Sequence, residues 1–184
     1  MSEGFPNSPP TRISEVESAA FGSLGSTIGD RKFPSGKVVT GNSSHIQNIV
    51  AYLQQATRNR LVFCHEHIGD LLYVNIGKTL ADLLANENLR SPMIAYAAED
   101  ALAEILSSTQ EDSHIGTYVA IENIGILFEP DFGFNLKSTF DSASTNKTII
   151  ICSDGMVKDD KFFFFQEGDD EFIDLKGLSY IELK

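Results

Sequence analysis

The sequence predicts an α/β domain with a mainly parallel sheet flanked by helices. Two apolar runs, residues 115–121 and 147–152, carry this prediction, because neither alternates apolar with polar residues as a half-exposed strand does. Polar residues follow each run directly, and segments of helical period separate the strand-like runs. Strands that alternate with helices typically form a parallel sheet covered on both faces.

The composition limits the classes of partner. At 184 residues the chain is long enough for one domain with a real core. A net charge of -12 argues against neutralising nucleic-acid phosphates and against an anionic membrane surface. No apolar run approaches the roughly 20 residues of a membrane span, and the amino terminus lacks a secretory pattern. The two cysteines lie in strand-like runs, which favours reduced thiols and a cytoplasmic location.

The chain divides into an arm and one domain. Residues 1–42 are rich in Ser, Gly and Pro and have no sustained period, which predicts a flexible or extended arm, with a short helix possible over 13–21. Gly36 and Lys37 in this arm lack the strand and the Ser or Thr of a phosphate loop. Residues 43–184 are predicted to form a single α/β domain.

The first half of the domain combines amphipathic helices with short apolar strands. Ser43 and Ser44 are typical N-cap residues ahead of an apolar stripe at helical spacing. A polar turn over 65–70 separates two strand-like runs. The predicted elements are helices over 45–59, 77–88 and 91–107 and strands over 60–64 and 71–76.

The second half begins with the strand over 115–121, which ends on Glu122 and Asn123. Polar groups at the carboxyl end of a buried parallel strand are the first candidates for a binding site. A short helix and a second buried strand follow, and then the chain changes character. Residues 161–166, 171–175 and 178–183 predict a small antiparallel C-terminal meander or an extension of the sheet edge.

Three segments of this half resemble a known family. They read VAIENIGILFEP, NKTIII and FFFFQEGDDEFIDL in this sequence. The pattern is similar to the small P-loop, AAA-like ATPase proteins of bacterial BREX phage-defence systems. The resemblance implies a P-loop-like sheet in which residues 121–123 occupy the Walker B position and residues 152–154 the tip of the sensor strand. It also implies that the strands ending at Cys64 and Cys152 are neighbours.

The first half departs from the family at the phosphate loop. A Walker A loop reads Gly-x-x-x-x-Gly-Lys-Ser/Thr and offers backbone N–H groups and a Lys to phosphates. Gly77-Lys78-Thr79 opens a helix, but bulky apolar residues precede it and Leu72 stands where the first glycine belongs. The loop over 65–70 contains no Lys. The sequence therefore predicts a degenerate Walker A.

A bound nucleotide would contact the Gly-Lys-Thr triplet and the polar residues at the ends of the two buried strands in the second half of the domain. No cofactor is expected, and ATP with Mg²⁺ is the alternative. Glu122 would be the catalytic residue only if the chain were an ATPase. A plain strand-to-helix turn with Thr79 as a cap is the preferred interpretation of the Gly-Lys-Thr triplet. The candidate cofactor-binding residues are Gly77, Lys78, Thr79, Glu122, Asn123 and Ser153.

A metal site is a further hypothesis. In an extended chain His65 and His67 share one face, and P-loop strand order would bring a second cysteine near them. The paired Cys-x-x-Cys spacing of structural zinc sites is absent. Two buried thiols beside a polar loop are therefore preferred over a metal. The candidate ligands are Cys64, His65, His67, Cys152 and Asp154.

Four consecutive aromatic residues, 162–165, predict an interaction surface. A strand would present two of these rings to each face, so a partner subunit is expected to cover one face. Phe163 and Phe165 are the candidate contacts, and Asp169 and Asp170 belong to an acidic rim around them. The alternative is a self-buried strand with a solvated hairpin tip.

These observations favour a non-catalytic or weakly active P-loop-like subunit. It would act as a protein-docking module in a bacterial phage-defence complex, with protein subunits as partners and without nucleic acid or membrane. One alternative is an acidic inhibitor that imitates DNA, as anti-restriction proteins do. The other is a genuine small nucleotide-binding ATPase, which requires a more conventional loop around Gly77.

Overall fold

The computed structural model describes residues 43–85, 91–165 and 171–184. The predicted N-terminal arm and its possible helix lie outside the described residues, and so do Asp169 and Asp170. Within the described ranges the α/β class is confirmed. A mainly parallel six-stranded sheet is flanked by helices, and a three-stranded antiparallel sheet lies near the C-terminus.

The described residues form four α-helices, one 3-10 helix and nine strands. They are α1 (Ser43–Leu53), β1 (Leu61–Cys64), β2 (Tyr73–Asn75), α2 (Ile76–Ala85), α3 (Ser91–Ser107), β3 (Gln110–Asp112), β4 (Gly116–Glu122), a 3-10 helix (Ile124–Phe128), α4 (Leu136–Ala143), β5 (Thr148–Cys152), β6 (Met156–Lys158), β7 (Lys161–Phe163), β8 (Phe172–Asp174) and β9 (Tyr180–Leu183).

The main sheet has the order β2-β4-β5-β1-β9, with all neighbours in this path parallel. β3 adds an antiparallel strand to β4. β1 and β5 are neighbours, as the P-loop order implies, and Cys64 is the Cα partner of Cys152. Both strands are covered on both faces, which is why their sequences do not alternate.

Two apolar layers enclose this sheet. On one face Val62 and Ile150 form a cluster with Ile49 of α1 and Ile68 of the loop after β1. The larger cluster on the other face joins side chains from β1, β4 and β5 to α2, α3, α4, the 3-10 helix and the small sheet. Its members include Phe63, Ile151, Val119, Leu80, Leu102, Leu127, Phe140 and Phe162.

The small sheet has the order β6-β7-β8 and is tied to the main sheet by an aromatic contact. Phe162 stacks on Phe63 of β1 with ring centroids 4.8 Å apart. Gly155 precedes β6, and a Cβ there would lie 2.5 Å from the carbonyl oxygen of Phe163 and from the Phe162 ring. Only glycine therefore allows the chain to approach β7 this closely.

The C-terminal strands divide between the two predicted alternatives. β7 and β8 lie in the small antiparallel sheet, whereas β9 extends the edge of the main sheet and is parallel to β1. The small sheet instead takes its third strand from β6, which the sequence analysis did not predict, as it also did not predict β3. A four-residue edge strand has no local signal that names its partner, because its pairing is set by tertiary packing.

Among the predicted strands that are shorter than expected, two bear on the site. The run over 71–76 contributes only Tyr73–Asn75, because α2 already begins at Ile76. The aromatic run leaves the strand after Phe163, so residues 164 and 165 do not continue its alternation. Both differences change which side chains face the site.

We expect Ile150→Ala to destabilise the domain strongly, because Ile150 has 0% exposure at the centre of the sheet. The loss of a buried aliphatic side chain costs about 2–5 kcal/mol. Leu72→Ala is the matched control, since Leu72 is 52% exposed and its truncation should cost less than about 0.5 kcal/mol. Urea unfolding of both variants measures the difference, and equal losses would contradict this account of the core.

Candidate functional site

The carboxyl ends of four parallel strands lie in a single row. Asn75 of β2 is the Cα partner of Glu122 of β4, Glu122 is the partner of Cys152 of β5, and Cys152 is the partner of Cys64 of β1. In open α/β sheets ligands bind outside such carboxyl ends. The row therefore marks the edge at which a site is expected.

A cleft of about 560 Å³ opens at this edge. The predicted residues Glu122, Asn123, Cys152, Ser153 and Asp154 all contribute to its walls, together with His65 and Phe165. The complete lining is His65, Asn75, Glu122, Asn123, Ile124, Cys152, Ser153, Asp154, Phe164 and Phe165. The cleft thus brings together the predicted site residues at the ends of β4 and β5.

Glu122 is held by the loop that follows β1. Its Oε2 atom lies 2.7 Å from Nε2 of His67, and Asn75 Nδ2 lies 3.5 Å from its Oε1 atom. The His67 ring stacks on Tyr73 with centroids 4.1 Å apart, and the Tyr73 hydroxyl accepts the backbone N–H of Ile68. These contacts fix the loop beside the carboxyl end of β4.

The first turn of α2 is closed by side chains of the chain itself. Asn75 Oδ1 accepts the backbone N–H of Lys78 at 2.9 Å, as an N-cap residue does, and also accepts Asn123 Nδ2 at 3.1 Å. A Cβ on Gly77 would lie 2.7 Å from Asn123 Nδ2, so the Asn123 amide rests directly on the glycine. Gly77 is required by this close approach, and the Lys78 N–H group is already bonded.

No helix follows β1 in the way that a phosphate loop requires. The chain passes from Cys64 through residues 65–72 straight into β2, and this segment contains no Lys. A Walker A loop needs a strand, a glycine-rich loop and a helix whose N-terminus faces the phosphates. Gly77, Lys78 and Thr79 instead begin the helix after an edge strand.

The metal candidates do not assemble into a coordination site. Burial raises the pKa of the Cys64 thiol to about 12 and also raises that of Cys152. Across residues 43–85, 91–165 and 171–184, no three His, Cys, Asp or Glu side chains come together to hold a metal ion.

The aromatic run separates into buried and exposed rings. Phe163 is only 6% exposed, and its ring centroid lies 5.7 Å from that of Phe172. Its side chain therefore packs within the small sheet. Phe164 stacks on Phe128 at 5.2 Å and supports Phe165, whose ring meets it edge-on at 4.5 Å. Phe165 is 64% exposed, which leaves it as the predicted contact that a partner can reach.

Two features of the site were missed in the sequence analysis. The Asn75 side chain organises the α2 turn, and Asn directly before the Ile-Gly-Lys helix start is a recognisable N-cap signal. The contact of His67 with Glu122 has no local signal, because 55 residues separate them in the chain. It depends on the order of the strands.

Comparison with protein-family models, with curated proteins and with solved structures finds no match. Among the described residues, no helix has the length and apolar character needed to cross a bilayer.

Because Gly77 contacts Asn123, we expect Gly77→Ala to change stability in the direction opposite to that of most Gly→Ala substitutions in helices. Gly→Ala inside a helix usually stabilises by about 0.5–1 kcal/mol, but Gly77→Ala must displace the Asn123 amide from Asn75. We expect it to destabilise by about 1 kcal/mol through overpacking. In an Asn123→Gly background, which keeps the left-handed conformation at φ 53° available, the same change should stabilise.

Urea unfolding of the four proteins in this double-mutant cycle measures the coupling between the two positions. An effect of Gly77→Ala that is equal in both backgrounds would contradict the direct contact.

Proposed function

We propose that the chain is a P-loop-like docking module that has lost its phosphate cradle and binds protein subunits of a larger complex. The neighbouring positions of β1 and β5 and the acid-Asn pair at the end of β4 support the P-loop-like part of this proposal. A role in a bacterial phage-defence complex is what the resemblance to the BREX proteins adds.

The first turn of α2 is the observation that carries the proposal. Phosphate binding at a helix N-terminus depends on free backbone N–H groups. Asn75 occupies the N–H of Lys78, and the Asn123 amide covers Gly77. One N–H group that a phosphate would need is therefore bonded within the chain, and the Asn123 side chain packs against Gly77. These two contacts support the loss of the phosphate cradle.

The exposed ring of Phe165 supports the docking part of the proposal. Aromatic residues are enriched among the side chains that dominate binding energy at protein interfaces. Phe165 projects from Phe164, which is itself fixed against Phe128. A rigidly supported aromatic ring loses little conformational entropy when a partner covers it.

Catalysis has less support in this geometry. Glu122 has the position that an ATPase would use, but one of its oxygens is already 2.7 Å from His67. ATP binding with Mg²⁺ and imitation of DNA by the acidic surface remain predictions from the sequence.

Removing the Phe165 ring should release the partner without unfolding the domain. We expect Phe165→Ser to reduce partner recovery by more than about tenfold, since interface hot spots contribute 2 kcal/mol or more. Tyr96→Ser is the matched control, because Tyr96 is 74% exposed on α3 and does not line the cleft. Quantitative affinity purification from the native host, with thermal unfolding to verify folding, measures both.

Equal recovery of the same proteins by Phe165→Ser and by the unchanged chain would contradict a docking role for this surface. Equal losses in the two variants would contradict the assignment of that role to Phe165 in particular.

A further inference from the structure

The cleft at the carboxyl edge contains two carboxylates, of which Glu122 lies 2.7 Å from the His67 imidazole. Glu122 and Asp154 line it, and among the described residues no Lys or Arg does. The charges of these two carboxylates and of Glu66 also contribute to the raised pKa of Cys152, after burial, so all three act on the same small volume. Asp154 forms no ion pair with any described residue.

An aromatic wall borders the same cleft. Phe164 and Phe165 both line it, with Phe165 largely exposed and Phe164 fixed on Phe128. Cations are attracted to the face of an aromatic ring, most strongly where water is partly excluded. A carboxylate and an aromatic ring in one cleft are complementary to a cation that has a flat apolar surface.

The polar lining offers further acceptors. Ser153 and Asn123 also line the cleft, and Ser153 Oγ accepts the backbone N–H of Gly155. Asn75 Oδ1 is already occupied by two donors, so it is not available to a ligand. The acceptors that remain surround the carboxyl ends of β4 and β5.

We propose that this cleft receives an arginine side chain of the partner protein. Its guanidinium group pairs with Asp154 and lies against Phe165, with Glu122 adding to the negative potential. This inference rests on the proposed docking function and names the chemistry that the partner presents.

Arginine fits these groups better than lysine does. Its planar guanidinium stacks on aromatic faces, donates paired hydrogen bonds to a carboxylate and is less strongly hydrated than an ammonium group. A phosphate ligand fits worse, because two carboxylates repel it and the cleft lining supplies no cation among the described residues.

The test uses N-acetyl-L-arginine methylamide as the probe and ¹⁵N-labelled full-length chain. The neutral citrulline counterpart has nearly the same shape and serves as the matched ligand control. We expect saturable NMR shifts at the amides of residues 122–124 and 153–155 with the arginine compound and no saturable shifts with citrulline. The lysine compound should bind more weakly.

Variants locate the interaction within the cleft. Asp154→Asn should weaken arginine binding by about threefold or more, in line with a partly exposed cation–carboxylate–aromatic contact. Asp131→Asn is the charge control, because Asp131 is exposed and does not line the cleft. Equal effects of the two variants, shifts scattered over the acidic surface, or equal binding of citrulline would overturn the inference.

The docking function and the arginine inference can be contradicted independently of each other. If Phe165→Ser loses its protein partner while the arginine compound leaves the cleft unchanged, the docking function stands and the arginine inference is wrong. If the arginine compound binds in the cleft while Phe165→Ser keeps its partner, the arginine subsite stands and the proposed docking role of Phe165 is wrong.

Discussion

The register of the parallel sheet is the constraint on which the site depends. Backbone pairing places Asn75, Glu122, Cys152 and Cys64 side by side at one edge. Because side chains alternate in direction along a strand, a shift of one residue in any of these strands would turn its terminal side chain to the other face. The buried cores of β1 and β5 prevent such a shift, so packing in the interior determines the chemistry at the edge.

One amide then joins three segments of the chain at this edge. Asn75 Oδ1 accepts both the Lys78 N–H and the Asn123 side chain, which ties the end of β2, the start of α2 and the residue after β4 together. Asn123 adopts a left-handed conformation, at φ 53°, that is uncommon outside glycine but accessible to Asn. The result is an edge where the first turn of α2 is capped by the chain's own side chain, next to a carboxylate-lined and aromatic-lined cleft.

The sequence predicted the parts of the fold that local patterns encode. The runs now seen as β1, β4 and β5 were recognisable because strands buried on both faces lack alternation. Glu122, Asn123 and Ser153 were recognisable because they follow buried strands directly.

Features that depend on distant contacts were not predictable. β9 pairs with β1 across more than a hundred residues, and nothing in its four residues distinguishes the two sheets. Similarly, the close packing of Asn123 against Gly77 could not be predicted, because the two residues belong to different segments of the chain. A glycine required for close packing and a glycine required for phosphate binding are identical in a sequence.

The most direct test of a closed phosphate site is thermal unfolding with Mg²⁺ and a panel of nucleotides, for the unchanged chain and for Lys78→Ala. The closed first turn of α2 predicts no nucleotide-dependent change in Tm in either protein. A ligand present at a hundredfold excess over its Kd stabilises the folded state by about 2.7 kcal/mol. A stabilisation of that size that disappears in Lys78→Ala would contradict the closed site and would identify the chain as a nucleotide-binding protein.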